Sequence, residues 1–284
     1  MSEQFLDFEF SEFGERLCMG SGIEELMEDL GNALANGGPD VRMLGGGQPA
    51  HIPEVNALWR RRLEEIMATP GGLEKMLANY DPPRGNPMFL DAIAELFKNN
   101  FGWDISVKNI AITSGGQTAF FFLFNALAGK FKNENENEDG EVRCKKILLP
   151  LVPEYIGYSN QSVGQDMFRA VKPVIEKIGE HDYKYHVDFD KLEIDDDIAA
   201  ICVSRPTNPT GNVLTDDEIY RLAALAKENG IPLIIDNAYG APFPNIIFTE
   251  ATPVWNENIV LTLSLSKIGL PGTRTGIVIA NEKI

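Results

Sequence analysis

Basic residues are scarce in this chain of 284 residues, in which 25 lysines and arginines stand against 42 aspartates and glutamates. The formal net charge of -17 repels polyanions over most of a folded surface. We therefore expect neither nucleic acid nor an anionic membrane surface as a partner.

Cysteine, metal-binding patterns and long apolar runs are also lacking. The chain has three cysteines and three histidines, without disulfide-type pairing and without HExxH spacing. We predict no disulfide framework and no metal site. No apolar run reaches membrane-spanning length, and residues 1–9 are acidic where a secretion signal is basic. These absences together favour a protein of the reducing cytoplasm.

Short apolar segments alternate with amphipathic ones along most of the chain. Apolar periodicity and helix caps predict helices at about 21–36, 53–67, 86–100, 118–128 and 216–229. Predicted strands lie at about 109–113, 145–149, 167–171, 199–204, 233–235, 261–266 and 276–280. This alternation predicts an α/β fold, with a mostly parallel sheet sandwiched by helices and ligands bound at the carboxyl ends of the strands.

The segment 259–274 places polar side chains at the end of a predicted strand. Between residues 261 and 266, leucines alternate with hydroxyl-bearing residues, which predicts a strand with one polar face. Gly269, Pro271 and Gly272 then prevent regular structure, so the chain can turn back on itself. We expect four side chains to meet there: Ser264, Ser266, Lys267 and Arg274.

Those four side chains suit a particular ligand. Hydroxyl groups and a guanidinium favour a phosphate. An amine beside a phosphate site suits pyridoxal phosphate, whose aldehyde forms a Schiff base with a lysine. Taken alone, the segment fits a strand end capped by solvated polar residues equally well.

A glycine turn supplies a second place for an anion. Ser114-Gly-Gly-Gln117 follows a predicted strand and precedes an apolar helix, and free N–H groups at such a helix start attract a phosphate. The turn alone is weak support. The phenylalanines of that helix, at positions 120–122 and 124, are interpreted as core residues with no function.

Further polar residues follow the ends of other predicted strands. Asp236 ends an apolar strand, where a carboxylate needs a cationic partner such as a protonated pyridine nitrogen. Taken singly, Asp236 fits a helix cap or a surface salt bridge. The number of such positions favours one shared ligand, because six residues occupy them: Ser114, Tyr155, Asn208, Asp236, Tyr239 and Lys267.

Three motifs in one order give the chain a family resemblance. Asn208-Pro-Thr-Gly211, Asp236-Asn-Ala-Tyr239 and Ser264-Leu-Ser-Lys267 through Arg274 resemble those of fold-type I pyridoxal-phosphate-dependent aminotransferases, from about Met43 onward. Shorter stretches resemble the branch that exchanges amino groups between valine and pyruvate: 45–50, 153–158, 184–189, 204–211 and 236–240. The resemblance thus implies conversion of L-valine and pyruvate to 3-methyl-2-oxobutanoate and L-alanine.

The resemblance implies a role for each candidate residue. Lys267 would hold the cofactor and carry the proton, Asp236 would keep the ring nitrogen protonated, and Tyr239 would bind the phenolic oxygen. Asn208 would share that contact, and Tyr155 would stack on the ring. The phosphate would be held by Gly116, Gln117, Ser264, Ser266 and Arg274.

The resemblance also implies a homodimer with shared sites. Tyr80 would reach the phosphate in the neighbouring subunit, while Gly47 and Asn208 would lie near the carboxylate of the small amino acid or 2-oxo acid. Residues 1–44 would contribute to a small domain, and residues 45–284 would form the cofactor-binding large domain.

One departure from the family pattern concerns the end of the chain. Family members continue beyond the last predicted strand into a segment that completes the small domain and carries the arginine that binds the α-carboxylate. We therefore expect the chain to be truncated. Arg205 stands where many relatives have an uncharged residue, and both a substrate contact and local packing remain open for it.

Two other functions compete with transamination. A lyase or decarboxylase on the same fold would use the same cofactor motifs, because substrate contacts decide which bond breaks. A non-catalytic, pyridoxal-phosphate-sensing domain of a transcription regulator would need a basic DNA-binding module, and no basic segment is present.

Overall fold

The computed structural model describes residues 9–38, 42, 48–131 and 143–284. Within these ranges the helices are α1 Glu12–Cys18, α2 Gly22–Asn36, α3 Pro53–Ala68, α4 Gly72–Leu77, α5 Pro87–Phe101, α6 Gly116–Leu127 and α7 Asp216–Glu228. The strands are β1 Ile110–Thr113, β2 Gly129–Phe131, β3 Arg143–Leu149, β4 Phe168–Ala170, β5 Val174–Ile178, β6 Asp182–His186, β7 Ile198–Ser204, β8 Leu233–Asp236, β9 Ile259–Ser264 and β10 Gly276–Ile279.

The main sheet is mixed, with a parallel centre. Its strand order is β1-β10-β9-β8-β7-β3-β2, and β4 also pairs with β3. Strands β3, β4, β7, β8 and β9 run parallel to one another, whereas β10 is antiparallel to both β9 and β1. The carboxyl ends of β7, β8 and β9 therefore lie side by side at one edge.

Helices cover both faces of this sheet, as the strand-helix alternation predicts. On one face α5 and α7 bury Phe97 and Leu222 against Val203 and Leu261 of the strands. On the other face α6 packs Phe124 against the opposite side. Every residue of β7 and β9 is consequently buried. The predicted α/β architecture is confirmed.

Strand β9 spans Ile259–Ser264 instead of the predicted 261–266. Because the strand is central and covered on both faces, its hydroxyl-bearing residues Thr262 and Ser264 are buried. Ser264 Oγ accepts a hydrogen bond from Ser266 N at 3.1 Å, and Leu265 N donates to Thr275 O at 3.1 Å, which together turn the chain into a 3₁₀ helix at Leu265–Ile268.

Other helix and strand boundaries also differ from the predicted ones. Helix α6 begins at Gly116 and not at 118, and Phe122 on its outer side is exposed, although Phe120 and Phe124 lie in the core as expected. The hairpin of β5 and β6 is absent from the sequence prediction. The capping boxes that open α2 and α7 are present, at Ser21 with Glu24 and at Thr215 with Glu218.

The four helices α1–α4, called the N-terminal helices below, bury much less. Helices α1, α3 and α4 contain no buried residue, and in α2 Leu30 is buried. None of the described helices has the length and apolar character needed to cross a membrane. The described residues also hold no cluster of three or more metal-binding side chains. The division at residue 44 stays a prediction.

Candidate active site

The carboxyl edge of the parallel centre gathers the candidate residues. Asp236 is the last residue of β8, and Lys267 lies in the 3₁₀ helix that follows β9. These strands are neighbours, with Asp236 in register with Thr262. The two side chains therefore lie at the same sheet edge, where burial raises the pKa of Asp236 and the positive charge of Lys267 partly offsets this rise.

Burial and hydrogen bonding act in opposite directions on Asp236. Removal from water raises the pKa of this carboxyl above its ordinary value, while its hydrogen bonds and Lys267 partly offset the shift. Tyr158 donates to Asp236 Oδ2 at 2.8 Å, and Ala238 N donates to Oδ1 at 3.0 Å. The carboxyl is held in one orientation and would be stabilised as an anion by a further cation.

Lys267 is supported from two sides. Its Nζ lies 5.2 Å from the centre of the Tyr239 ring, within the range of a cation–π contact. One residue further on, Ile268 O accepts a hydrogen bond from Trp59 Nε1 of α3 at 3.1 Å. Lys267 is only half-buried, so its amine remains accessible to a ligand.

Gly115 and Arg274 form a compact corner at the start of α6. Gly115 has φ of 96° and ψ of 162°, which only glycine adopts without strain. A Cβ at this position would overlap the Arg274 guanidinium, whose Cζ lies 3.0 Å away. The guanidinium thus sits against the backbone that leads into α6, whose first N–H groups have no partner within the helix. Both features favour an anion at this corner.

Tyr155 projects toward the same edge on the segment after β3. Its hydroxyl accepts a hydrogen bond from Gln117 Nε2 of α6 at 2.9 Å. Burial raises the pKa of Tyr155, and the charges of Asp236 and Arg274 both act on it. This ring therefore lies near both the carboxylate and the guanidinium.

A buried polar network behind Asp236 was missed by the sequence reasoning. Tyr158 is 2% exposed, and its hydroxyl lies 3.0 Å from Ser204 Oγ as well as near Asp236. Ser204 Oγ in turn lies 2.5 Å from Glu154 Oε2. Tyr158 and Glu154 belong to the quoted stretch 153–158, so their polar character beside Tyr155 was a usable signal.

Arg205 has a local role. Its guanidinium donates to Leu214 O at 2.7 Å, to Thr252 O at 2.9 Å and to Asp216 Oδ1 at 2.5 Å. The residue is 5% exposed, and all three partners belong to neighbouring loops and α7. Of the two open interpretations, the structure supports local packing.

The remaining candidates are not all brought together. Ser264 and Ser266 lie beside Lys267, and Asn208 lies on the loop after β7. Tyr80 is fully exposed on the segment between α4 and α5. Gly47 lies outside the described residues.

Known proteins are similar to this chain in both sequence and architecture. Residues 168–284 match the family model described as aminotransferase class I and II. Over these residues the chain is similar to this family, and its fold is that of fold-type I aminotransferases.

Within the family, three relatives are informative. The chain is 52% identical to the valine–pyruvate aminotransferase of Escherichia coli (strain K12) over 275 residues, covering 97% of this chain and 63% of the relative. The crystal structure of valine-pyruvate aminotransferase from Salmonella typhimurium LT2 gives a TM-score of 0.78 at 49% identity, covering 92% of this chain and 61% of that one. The crystal structure of the putative amino-acid aminotransferase from Psychrobacter arcticum 273-4 gives a TM-score of 0.89 at 46% identity, covering 98% of this chain and 65% of that one. The chain therefore spans less than two thirds of the length of each of these relatives.

Proposed function

We propose that this protein is a pyridoxal-phosphate-dependent aminotransferase that converts L-valine and pyruvate to 3-methyl-2-oxobutanoate and L-alanine. The observation that carries the proposal is the placement of Lys267 and Asp236 at the carboxyl ends of two neighbouring strands, where the charge of Lys267 acts on the Asp236 carboxyl. The similarity to valine–pyruvate aminotransferases supports the choice of substrates.

Members of this family depend on pyridoxal phosphate, and the described residues fit that group. Gly115 and Arg274 form a corner suited to a phosphate. Asp236 offers a carboxylate whose burial favours pairing with a cation, as a protonated ring nitrogen is. Between these ends, Tyr155 supplies an aromatic face and Lys267 an amine. The phosphate site would be completed by Gly116, Gln117, Ser264 and Ser266.

Each side chain then has a defined task. Pyridoxal phosphate, when bound, supplies an aldehyde that condenses with amines and a ring that accepts the electron pair released at the substrate α-carbon. Lys267 Nζ holds the cofactor and later moves the α-proton, a task for which an amine is suited. Asp236 holds a proton on the ring nitrogen, while Tyr239 and Asn208 orient the phenolic oxygen. Asn208 and Gly47 would lie near the substrate carboxylate.

We also propose a homodimer in which Tyr80 reaches the phosphate of the other subunit. The full exposure of Tyr80 and its place on a turn-rich segment support this role. Exposed apolar residues on the adjoining α3 and α4, including Leu63, Met67 and Leu77, support an interface nearby. Cytoplasmic residence is proposed as well, since a reducing compartment keeps the exposed thiols of Cys18 and Cys144 free; cell fractionation tests it.

Alanine formation from valine and pyruvate, measured with added pyridoxal phosphate, tests the reaction. We expect equal amounts of alanine and 3-methyl-2-oxobutanoate. Release of carbon dioxide or ammonia without alanine would identify a decarboxylase or lyase and contradict the proposal. Binding of the cofactor without turnover of any amino acid would favour the sensing domain.

Shared sites are tested by mixing two inactive variants, Tyr80→Ala and Lys267→Ala. If each site takes Tyr80 from the other subunit, a hybrid dimer carries both changes in one site and neither in the other. Activity should then reappear on subunit exchange. A mixture that stays as inactive as its parents, despite exchange shown by mass spectrometry, would exclude the shared arrangement.

A further inference from the structure

Four polar groups form one continuous row behind the candidate cofactor site. Glu154 Oε2 lies 2.5 Å from Ser204 Oγ, which lies 3.0 Å from the Tyr158 hydroxyl. That hydroxyl lies 2.8 Å from Asp236 Oδ2. The row thus has two carboxyl groups at its ends and two hydroxyls between them, with three oxygen–oxygen contacts of hydrogen-bond length.

The number of protons available to this row requires a carboxylic acid. Each hydroxyl has one proton to donate, and an ionised carboxylate has none. With Glu154 and Asp236 both ionised, two protons would have to serve three contacts, and two lone pairs would face each other in one of them. One additional proton on a carboxyl group satisfies all three contacts.

The surroundings of the two carboxyls differ, and they place this proton on Glu154. Asp236 faces the positive charge of Lys267 and accepts from Ala238 N, so its anion is stabilised. Glu154 forms no ion pair with any described residue. Its Oε1 accepts from Ser204 N at 2.8 Å and its Oε2 from Tyr155 N at a longer 3.3 Å, and both oxygens of a neutral acid can accept such bonds. Among the residues that the structure describes, the ionisable groups that face Glu154 are the carboxyl of Asp236, the hydroxyl of Tyr158 and the thiol of Cys202, none of them cationic.

We propose that Glu154 is a neutral carboxylic acid that donates through Ser204 and Tyr158 to Asp236, and thereby positions Asp236 as the anion that pairs with the ring nitrogen of the cofactor. Glu154 is a positioning residue, because it acts through two hydroxyls and does not touch the cofactor site itself. Burial, the largest influence on Glu154, raises its pKa to about 7, in agreement with this protonation state. The pairing with the ring nitrogen rests on the proposed function; the proton on Glu154 does not.

Infrared spectroscopy of the protein without added pyridoxal phosphate tests the location of the proton. At about pH 6 ordinary carboxyls are ionised. The difference spectrum between wild type and Glu154→Gln should show a carboxylic-acid carbonyl band, lost with a midpoint of about 7 as the pH rises. Glu64→Gln, which changes an exposed glutamate of α3, is the matched control and should keep the band.

Two results of this measurement would overturn the proposal. Absence of the band from wild type at about pH 6 would show that Glu154 is ionised. Persistence of the band in Glu154→Gln would place the proton on another group. Since no cofactor is present, failure of the proposed function cannot produce either result.

A second measurement compares cofactor affinity by equilibrium dialysis. The amide introduced by Glu154→Gln can donate to Ser204 Oγ and accept from Ser204 N, so this variant should bind pyridoxal phosphate nearly as tightly as wild type. Glu154→Ala and Ser204→Ala interrupt the row, and each should weaken binding about tenfold. Equal weakening in Glu154→Gln and Glu154→Ala would mean that the charge of Glu154 matters, and would contradict the proposal. Unfolding temperatures identify any variant that fails to fold, and Ser204→Ala then stands in for Glu154→Ala.

Discussion

The parallel centre of the sheet and the N-terminal helices both contain apolar residues but bury them very differently. Strands β7 and β9 are buried along their whole length, whereas α1, α3 and α4 contain no buried residue. Leu233 in β8 is fully buried, while Leu63 in α3 is 48% exposed. The candidate site lies where the strands of the buried region end.

This difference has an energetic meaning. Burying a leucine or isoleucine side chain completely stabilises a fold by about 1.5–3 kcal/mol, so the parallel centre is rigid enough to hold charged groups in fixed positions. An exposed helix gains little from its apolar side chains and depends on caps and backbone hydrogen bonds. The four predictions below test this contrast, and each pairs a change near the centre with one in the N-terminal helices.

The largest effect is expected from Lys267→Ala. Loss of a positioned proton-transfer group lowers turnover by about 10²–10⁴-fold, and here the covalent attachment of the cofactor is lost too. Borohydride reduction followed by mass spectrometry should find labelled Lys267 in wild type and in Lys75→Ala of α4, but no labelled protein in Lys267→Ala. A label retained in Lys267→Ala would assign the attachment to another lysine.

The next effect concerns the core itself. Leu233→Ala should lower the free energy of unfolding by about 2–5 kcal/mol, because it leaves a cavity in the sheet centre. Leu17→Ala on the exposed side of α1 should change it by less than about 0.5 kcal/mol. Urea denaturation of both variants measures the difference. Equal losses would show that α1 is packed more tightly in solution than its exposure indicates.

Two glycines with positive φ allow a finer comparison. Gly115→Ala should cost about 1–3 kcal/mol of stability and also weaken pyridoxal phosphate binding, because the new methyl group would displace Arg274. Gly71, which precedes α4, has φ of 74° and open space around the position that a Cβ would take, so Gly71→Ala should cost about 1 kcal/mol and leave binding unchanged. Equilibrium dialysis measures cofactor binding, and urea denaturation measures stability, in both variants. Unchanged binding in Gly115→Ala would contradict the assignment of the phosphate site to this corner.

The smallest expected effect is a change in how the free energy of unfolding depends on pH. The pKa of Glu154 is raised from 4.5 to about 7, so the folded protein binds this proton more tightly than the unfolded chain does. The contribution of this proton to the free energy of unfolding is therefore fully present below about pH 4.5 and decreases as the pH rises toward 7. Glu154→Gln should abolish that decrease, and Glu64→Gln on α3 should retain it. Unfolding titrations at several pH values measure the slope, and parallel slopes in all three proteins would contradict the prediction.

Local patterns were sufficient for the parts of the site that follow strand ends. Asp236 and Lys267 are predictable because each comes at the end of a short apolar run or soon after it, and parallel strands end at a common edge. The order of strands, the antiparallel placement of β10 and the hairpin β5–β6 are set by long-range pairing, which leaves no periodic signal.

Contacts between distant residues were beyond sequence reasoning. The Tyr158–Asp236 hydrogen bond joins positions 78 residues apart, and Glu154 meets Ser204 across 50 positions. Arg205 was undecidable partly for this reason, because Leu214 and Asp216 are near it in sequence but its third partner, Thr252, lies 47 residues away. The observed start of α6 differs from the predicted one for a local reason. Gly115 adopts a conformation that lets the helix begin at Gly116.

The hydrogen bond from Trp59 Nε1 to Ile268 O joins the two contrasted regions. Helix α3 has little buried surface of its own, yet through this indole it braces the peptide next to Lys267. Withdrawal of α3 would leave the Ile268 carbonyl to water and give the lysine turn more conformational freedom. The indole fluorescence of Trp59 therefore provides an optical report on the environment of the reactive amine, from a helix that contributes few core contacts.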